Sequence, residues 1–526
     1  MVRAVRLGAP TIIVTDSRGA ASADASAIAA GIPSRALMQR AGAAAAAEIA
    51  TRFSAALHRG VVVVTGAGNN GGDGWVIAHA LHAVGIRVRV VECFQSRTTD
   101  AKAERDAAIA AGVAHSDDVD SILAGGEDIA VDALVGTGLA RDEPLRGRLV
   151  KGVAILHLIA RRGGSVVAID VPSGLDATDG MHVGAARCAL TLTFGTIKRG
   201  QLVARGLCGD IVALDIGLGT HVSAAGSARL ATAAWFRESL PEIAADAHKG
   251  TRKKIAIIGG AAGMAGAAML AARGALRSGA GMVKCVVAAE SLPAIQEGEP
   301  AALCAQWPDN DEAFAATVAT WADVILIGPG LGGARARELV ERTLRCFDGP
   351  VVIDADALNV FAGDAAALVP LLRGRAALLT PHPVEFARLS GQDVDHVLES
   401  RFTVPYELAA ITSATVLLKG VPTVVSAPDG ETIVVAEGTP ILATGGAGDV
   451  LGGIAATLLA QTGNATMAGA LAAFAHGRAA SSVSAVQVRG FTLDDVLGVL
   501  PAMWSHEATV PRAPILAELP AIGQYA

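Results

Sequence analysis

The chain has 526 residues, enough for two large α/β domains or for three or four smaller ones. Its 43 basic and 50 acidic residues leave a net charge of −7 over a long sequence, which gives neither a basic stripe for nucleic acid nor a polybasic membrane anchor. Charged residues make up 18% and hydrophobic residues 52% of the sequence, which excludes a disordered chain and predicts sizeable buried cores.

Three further features predict a cytoplasmic protein without a membrane segment. The uncharged stretch from Val450 to Ala475 is longer than a membrane span, but residues 461–464 (Gln-Thr-Gly-Asn) in its middle predict a turn between two helices. The N-terminal region lacks the apolar core and cleavage site of a signal peptide. The six cysteines show no C-x-x-C spacing, so we expect neither a disulfide framework nor a zinc site.

Short β-branched runs alternate with alanine-rich helical stretches along the chain, which is typical of βαβ units and mostly parallel sheets. In the first half we predict strands at residues 61–65, 87–92, 128–134, 165–169, 189–194 and 211–214. In the second half we predict strands at residues 254–258, 282–287, 324–327, 351–353, 377–379, 415–418, 423–426 and 432–435. The segment 221–234 between the two sets gives no strand signal, so we place the domain boundary near residues 218–235. We therefore expect two α/β domains, residues 1–220 and 235–526, each with its own site.

A glycine-rich loop, residues 66–74 (Gly-Ala-Gly-Asn-Asn-Gly-Gly-Asp-Gly), follows the first predicted strand. Gly66, Gly68 and Gly71 satisfy G-x-G-x-x-G, and Glu92 ends the next strand, so an NAD-dependent oxidoreductase is one interpretation. The two asparagines and the aspartate between these glycines add oxygen donors that a dinucleotide loop does not need.

Two other predicted strand ends, at residues 132–138 and 170–176, also carry oxygen donors. If these ends are adjacent, as in a doubly wound sheet, Asn70, Asp132 and Ser173 form a cluster of oxygen ligands. Oxygen ligands without Cys or His favour an alkali or alkaline-earth ion over a transition metal. The alternative is that these residues only form turns and cap helices.

These three segments, together with residues 24–42, resemble the NAD(P)H-hydrate epimerase family over nearly all of residues 20–217. The resemblance implies a Rossmann-like three-layer domain that interconverts the R and S hydrates of NADH and NADPH, called NADHX and NADPHX. It implies potassium (K⁺) ligands at Asn70, Asp132 and Ser173, and we take Asp170 as the acid/base for epimerisation at C6. The residues that resemble the contacts to the hydrated nucleotide are Asn69, Asn70, Gly71, Gly72, Asp73, Gly136, Thr137, Gly138, Leu139, Ala140, Arg141, Asp142 and Asp170.

A second glycine-rich motif, residues 443–449 (Ala-Thr-Gly-Gly-Ala-Gly-Asp), precedes an apolar helical stretch. Such glycines present free N–H groups and the positive end of a helix dipole to a phosphate. Asp449 can accept a proton from an attacking hydroxyl, as phosphoryl transfer requires, or it is an ordinary acid of a first helical turn. His382 and Lys419 follow other predicted strands. Each has two interpretations: His382 as a site residue or a structural histidine, and Lys419 as a phosphate contact or a solvated lysine.

From His248 onward the chain resembles the ribokinase-like superfamily, and more narrowly the ADP-dependent NAD(P)H-hydrate dehydratase. The resemblance implies a ribokinase-like α/β domain in which ADP, with Mg²⁺, phosphorylates the hydroxyl of the S hydrate. This transfer releases AMP, and loss of phosphate from the phosphorylated hydrate then restores NAD(P)H. The implied hydrate-binding residues are Ala267, Gly330, His382 and Asp449, with Asp449 as the base. The implied adenine-nucleotide contacts are Lys419, Gly420, Val421, Pro422, Thr423 and Gly448.

Together the two resemblances predict a bifunctional enzyme that repairs hydrated nicotinamide nucleotides, an epimerase (isomerase) joined to a dehydratase (lyase). Its partners would be the small molecules NADHX, NADPHX and ADP, and the resemblance suggests a homo-oligomer. Three alternatives are a ribokinase-type small-molecule kinase with a regulatory nucleotide-binding domain, the NAD-dependent oxidoreductase, and a non-catalytic nucleotide sensor.

Overall fold

The computed structural model describes residues 12–118, 126–138, 145–222, 227–333, 335–484, 489–505 and 511–522. Within these ranges the chain forms two compact α/β units, the first from residues 12–227 together with 511–522, and the second from residues 228–505. The predicted second domain, residues 235–526, therefore includes a C-terminal stretch that the structure places in the first unit. No helix in the described ranges is long and apolar enough to cross a membrane.

The first unit is a mostly parallel sheet with helices on both faces. Its strand order is β20-β9-β7-β6-β5-β2-β3-β4, and only β20 is antiparallel to its neighbour. A further parallel pair, β1 with β8, joins Val14 to Ile197. The strands are β1 (Ile13–Thr15), β2 (Val61–Thr65), β3 (Val88–Glu92), β4 (Ala114–Ser116), β5 (Ile129–Ala133), β6 (Ser165–Ile169), β7 (Leu190–Phe194), β8 (Ile197–Lys198), β9 (Asp210–Leu214) and β20 (Ile515–Leu519). The helices are α1 (Ser17–Ala29), α2 (Ser34–Arg52), α3 (Asn69–Ala83), α4 (Thr99–Ala110), α5 (Arg148–Arg161), α6 (Arg199–Val203) and α7 (Arg205–Cys208).

The second unit has the same layered architecture. Its strand order is β13-β12-β11-β14-β15-β16-β17-β18-β19-β10, and only the pairs β17–β18 and β18–β19 are antiparallel. The strands are β10 (Ala228–Leu230), β11 (Lys254–Ile258), β12 (Met282–Val287), β13 (Leu303–Gln306), β14 (Val324–Ile327), β15 (Val351–Ile353), β16 (Ala377–Leu379), β17 (Thr415–Leu418), β18 (Thr423–Ser426) and β19 (Thr432–Val435). The helices are α8 (Ala233–Ser239), α9 (Ala265–Arg277), α10 (Leu292–Gly298), α11 (Asp311–Phe314), α12 (Ala336–Cys346), α13 (Asp356–Asn359), α14 (Val369–Leu372), α15 (Pro383–Ser390), α16 (Val394–Glu399), α17 (Val404–Thr412), α18 (Ala447–Thr462), α19 (Ala465–Ser484) and α20 (Leu493–Met503).

Each sheet has an apolar core on both of its faces. In the first unit, α3 buries Trp75 and Ile77 on one face and α5 buries Leu156 on the other. In the second unit, α9, α18 and α19 cover one face, while α12, α15 and α17 cover the other. Strands covered on both faces are continuous hydrophobic runs, which is why the β-branched runs of the sequence located them. The predicted α/β fold with two domains is confirmed.

Six of the observed strands were not predicted from the sequence: β1, β4, β8, β10, β13 and β20. Four of them are only two or three residues long, too short for a periodic pattern. One of these four, β10, lies inside the segment 221–234, where we expected no strand, so that expectation is wrong. The predicted turn at residues 461–464 is confirmed, because α18 ends at Thr462 and Gly463 adopts the left-handed conformation before α19 begins.

The strand order brings the predicted site segments to shared sheet edges. In the first unit β6, β5 and β2 are neighbours, so their carboxyl ends place residues 66–74, 134–138 and 170–176 at one edge. In the second unit β14, β15, β16 and β17 are neighbours, and their carboxyl ends lead into residues 328–332, 354–359, 380–383 and 419–423. Ligands of open α/β sheets bind at such edges.

Two candidate active sites

The first site is a cavity of about 730 Å³ at the carboxyl ends of β2, β5 and β6. The loop after β2 and the first turn of α3 form one wall, and helices α1 and α2 form another. Among the predicted site residues, those that line the cavity are Asn69, Asn70, Asp73, Gly136, Thr137, Gly138 and Asp170. The predicted contacts Leu139, Ala140, Arg141 and Asp142 lie outside the described residues.

Glycines let the three loops approach one another closely. A Cβ atom on Gly66 would lie 1.9 Å from the carbonyl oxygen of Leu134, and one on Gly71 would lie 2.1 Å from the carbonyl oxygen of Gly66. Two glycines of the G-x-G-x-x-G pattern are therefore required by packing within the protein. A Cβ atom on Gly136 would lie 3.3 Å from Oδ2 of Asp170 and 3.4 Å from Cγ of Asn70, so these residues meet at one point of the cavity.

The oxygen cluster predicted from the sequence is partly assembled by direct contacts. Asp132 is fully buried, and its Oδ1 accepts a hydrogen bond from Oγ of Ser173 at 2.6 Å, while its Oδ2 accepts one from the Ser173 N–H at 2.8 Å. Burial raises the pKa of Asp132 to about 6, against the lowering effect of these hydrogen bonds. The amide oxygen and nitrogen of Asn70 are buried without a hydrogen-bond partner.

This set of oxygen donors fits an alkali or alkaline-earth cation. An unpartnered buried carbonyl such as Oδ1 of Asn70 is costly unless a donor or an ion meets it. A cation beside the desolvated Asp132 would offset the penalty of burying its charge. Among the described residues, no group of three or more His, Cys, Asp or Glu side chains is arranged to hold a metal.

Asp170 is held in a strained conformation at the end of β6. Its φ angle is +68°, a left-handed value that non-glycine residues rarely adopt. Its N–H donates to the carbonyl of Leu192 at 2.7 Å, and its own carbonyl accepts from Nε2 of Gln201 at 2.6 Å. Its Oδ1 lies 2.5 Å from Nζ of Lys198, whose side chain is 3% exposed. Strain that is held by hydrogen bonds on both sides is typical of functional positions.

Sequence reasoning missed Asp24 and Lys198, which also line this cavity. Burial, followed by the charges of Asp170 and Asp24, raises the pKa of Asp73 well above its ordinary value. Burial also raises the pKa of Asp24, while Lys198 lowers it. Lys198 is the second residue of the two-residue strand β8, which is too short for any periodic pattern in the sequence to mark it.

The second site lies around the first turn of α18. Gly446 precedes the helix with a φ angle of +92°, and Asp449 occupies the first turn. Burial raises the pKa of Asp449 to about 7; Asp354 raises it further and Lys419 lowers it. A carboxyl group that titrates near neutral pH is suited to accept a proton from a substrate hydroxyl.

Lys419 and Asp354 form a buried ion pair beside this turn, with Nζ and Oδ1 2.6 Å apart. Burial lowers the pKa of Lys419, but Asp354 and Glu385 raise it, and the net direction is upward. A Cβ atom on Gly448 would lie 3.1 Å from Nζ of Lys419, so the ammonium group sits against the start of α18. Lys419 thus lies beside Gly448 in the turn that carries Asp449, and the structure adds Asp354, whose role the sequence did not reveal.

The segment 420–423 continues from Lys419 as a tight turn with a cis peptide bond before Pro422. Oγ1 of Thr423 donates to the carbonyl of Gly420 at 2.8 Å, and Nη1 of Arg401 donates to the carbonyl of Val421 at 3.2 Å. These bonds fix the backbone next to Lys419.

The predicted hydrate-binding residues lie on neighbouring loops of the same edge. A Cβ atom on Gly330 would lie 3.0 Å from Cβ of Ala267, so these two residues are in contact. His382 caps α15: its Nδ1 accepts from the N–H groups of Val384 and Glu385 at 3.1 and 3.3 Å. Nδ1 of His382 therefore has a structural role, because it caps the start of α15. Burial lowers the pKa of His382 and Lys419 lowers it further, whereas Glu385 raises it, so the ring is held neutral near Lys419.

Comparison with known proteins identifies both halves. The family profile described as YjeF-related protein N-terminus matches residues 34–200, and the profile described as NAD(P)H-hydrate dehydratase matches residues 255–502. A crystal structure of the ADP/ATP-dependent NAD(P)H-hydrate dehydratase from Bacillus subtilis, obtained with ATP and Mg²⁺, is 30% identical and covers 52% of this chain and 96% of that chain, with a TM-score of 0.47.

Full-length relatives decide between the alternatives. Bifunctional NAD(P)H-hydrate repair enzymes from Salinibacter ruber and Moorella thermoacetica are each 34% identical, cover 90% and 89% of this chain, and are themselves covered to 92%. The enzyme of the same name from Escherichia coli is 33% identical over 90% of both chains. Similarity across both halves favours the repair enzyme over the kinase, oxidoreductase and sensor alternatives and confirms both resemblances. The chain belongs to the family of bifunctional NAD(P)H-hydrate repair enzymes.

Proposed function

We propose that the first unit interconverts the R and S forms of NADHX and NADPHX, and that the second unit dehydrates the S form at the expense of ADP. The observation that carries this proposal is the presence of one candidate acid/base carboxyl group in each unit, Asp170 and Asp449, at the edge of the sheet where ligands bind. Cytoplasmic location and homo-oligomeric assembly are part of the same proposal, and light scattering after size-exclusion chromatography tests the second.

In the first unit, Asp170 exchanges a proton with the C6 hydroxyl of the hydrate while a bond at C6 breaks and re-forms on the opposite face. Asn70, Asp132 and Ser173 would hold K⁺, which supplies positive charge beside the anionic nucleotide. The N–H groups at the start of α3, including those of Asn69 and Gly71, can receive the phosphates of the nucleotide. Burial of Asp132 and the unpartnered amide of Asn70 support the cation site.

In the second unit, Asp449 accepts the proton of the C6 hydroxyl of the S hydrate as its oxygen attacks the terminal phosphorus of ADP. A new P–O bond forms, and the bond to AMP breaks. The ring nitrogen then expels phosphate from C6, and loss of a proton from C5 restores NAD(P)H. Lys419 and the N-terminus of α18 at Gly448 stabilise the negative charge that develops on the phosphate oxygens. Mg²⁺ would neutralise the charge of the nucleotide phosphates.

The near-ultraviolet absorbance of reduced nicotinamide, which its hydrate lacks, tests both activities. A mixture of R and S NADHX would be supplied with ADP, Mg²⁺ and K⁺ to the native enzyme, Asp170→Ala and Asp449→Asn. We expect full recovery with the native enzyme, rapid recovery of the S fraction alone with Asp170→Ala, and none with Asp449→Asn. Failure of the native enzyme to recover NADH with either ADP or ATP would overturn the proposal.

A further inference from the structure

The ammonium group of Lys198 makes three hydrogen bonds inside the first site. Its Nζ donates to Oδ1 of Asp170 at 2.5 Å, to Oγ1 of Thr193 at 2.7 Å and to the carbonyl oxygen of Thr196 at 3.4 Å. A lysine ammonium has three N–H donors, and here each meets an acceptor. Because the side chain is almost completely buried, its position leaves little freedom for another arrangement.

These contacts distinguish the two oxygens of the Asp170 carboxylate. Oδ1 is engaged by Lys198 and lies 3.4 Å from Oγ1 of Thr193. Oδ2 faces the other way, toward Gly136, where an added Cβ atom would lie 3.3 Å from it and 3.4 Å from Cγ of Asn70. Only Oδ2 is therefore directed to the part of the cavity where the loops after β2 and β5 meet.

The same short segment also fixes the backbone on which this carboxylate stands. The N–H of Lys198 donates to Oε1 of Gln201 at 2.8 Å, and Nε2 of Gln201 donates to the carbonyl of Asp170 at 2.6 Å. Residues 193–201 thus hold both ends of Asp170, its strained main chain and one carboxylate oxygen. A support of this kind keeps a reacting group within a fraction of an ångström of its working position.

Two more carboxyl groups, Asp24 and Asp73, line the cavity with Asp170. Burial, followed by the charges of Asp170 and Asp24, raises the pKa of Asp73 well above its ordinary value. Of these three carboxyl groups, Asp170 is the one that forms an ion pair with Lys198 within the described residues. The ammonium group therefore makes direct contact with one carboxylate of the three, that of Asp170.

We propose that Lys198 is a positioning residue of the epimerase site, which occupies Oδ1 of Asp170 and thereby presents Oδ2 to the C6 hydroxyl of the hydrate. This inference rests on the proposed function of the first unit. Oδ2 takes the hydroxyl proton as the bond between C6 and the ring nitrogen breaks. The carbonyl of an open-chain aldehyde forms, and the electron pair left on nitrogen spreads into the adjoining double bond and carboxamide. When nitrogen attacks the opposite face of the aldehyde, the oxygen recovers the proton from Oδ2, and the other epimer results.

The test measures conversion of R to S NADHX by chromatography without ADP, so that the dehydratase does not act. The variants are Lys198→Met, which keeps the length but not the charge, Lys198→Arg, and the exposed control Lys102→Met. We expect Lys198→Met to lower kcat at least about 100-fold with KM within about threefold, because proton transfer and not binding is impaired. The kcat of Lys198→Arg should be at least about tenfold higher than that of Lys198→Met. Lys102→Met should match the native enzyme.

Several results would overturn the inference. They are a kcat for Lys198→Met within about threefold of the native value, a loss that appears in KM instead, or no recovery with Lys198→Arg. If Lys198→Met does not fold, Thr193→Val removes the second partner of the ammonium, and an unchanged kcat for that variant would refute the role. ADP-dependent dehydration of S NADHX, measured on every variant, shows that the second unit is intact. A native enzyme without epimerase activity would instead overturn the proposed function itself.

Discussion

Replacing Asp449 by asparagine should abolish dehydration and at the same time stabilise the second unit. The pKa of Asp449 is raised from 3.8 to about 7, first by burial and then by Asp354. Since the folded-state pKa is the higher one, the stability that the protonated carboxyl provides is complete below 3.8 and is lost as the pH rises through about 7. At 1.36 kcal/mol per pH unit, ionisation takes away about 4 kcal/mol at about pH 8.

Asparagine has the same shape and no charge to bury, so the variant avoids this loss. Asp449 is only partly buried, and solvent screens part of the penalty, so we expect about half of it, near 2 kcal/mol. For a unit of this size, that corresponds to a rise in Tm of about 4–8 °C at about pH 8. At about pH 5 the folded carboxyl is protonated but the unfolded one is already ionised, which takes away about 1.7 kcal/mol before screening, so the Tm difference should shrink to less than half of its value at about pH 8 and vanish only below about pH 3.8.

The assay is differential scanning calorimetry of both proteins at several pH values, with the exposed Asp395→Asn as a control for removing an acid elsewhere. In parallel, kcat/KM of the native dehydratase should rise about tenfold between about pH 6 and 8, because the base must be ionised to accept a proton. Asp449→Asn should lose about 10²–10⁴-fold in kcat at every pH. A Tm difference that does not change with pH, or an acidic limb of the kinetic profile below about pH 5, would refute the reasoning.

Asn70→Ala should raise the K⁺ concentration for half-maximal epimerase rate at least about tenfold, because an unpartnered buried amide oxygen is removed from the proposed ligands. A titration with KCl at constant ionic strength measures this, and an unchanged K⁺ dependence would contradict the ligand set. Gly453→Ala should destabilise the second unit by about 1–3 kcal/mol or more, because its Cβ would lie 2.0 Å from the backbone oxygen of Ala271 where α18 crosses α9. The helical control Gly498→Ala has open space at this position and should unfold at the native temperature or slightly above; equal Tm changes for the two would contradict the packing argument.

Structural elements that are encoded by a single continuous run of residues could be predicted from the sequence. Buried parallel strands are unbroken apolar runs, so strands such as Ser165–Ile169 and Met282–Val287 were predicted at their observed bounds. Turns after these strands carried the site residues, and strand order placed Asp132 against Ser173 as expected. Recognition of two families supplied the roles of those residues, which periodicity alone does not assign.

Features that depend on contacts between distant segments were not predictable. The role of Lys198 depends on a left-handed turn at Asp170, on Gln201 and on Thr193, and no spacing rule connects these residues. The titration of Asp449 near neutral pH depends on where Asp354 and Lys419 lie in the folded unit. The strand Ile515–Leu519 has an ordinary apolar pattern, and nothing in that pattern says which sheet it joins.

The pairing of β20 with β9 means that the second unit is, along the chain, an insertion within the first. During synthesis, one edge of β9 stays unpaired until the ribosome has translated the entire dehydratase-like unit. An unpaired apolar edge strand can form a sheet with other chains and so promotes aggregation. Expression of residues 1–227 alone would leave that edge open permanently. In a separately expressed epimerase unit, β9 would be paired on both edges only if β20 were supplied, either fused after β9 through a short hairpin loop or added as a peptide.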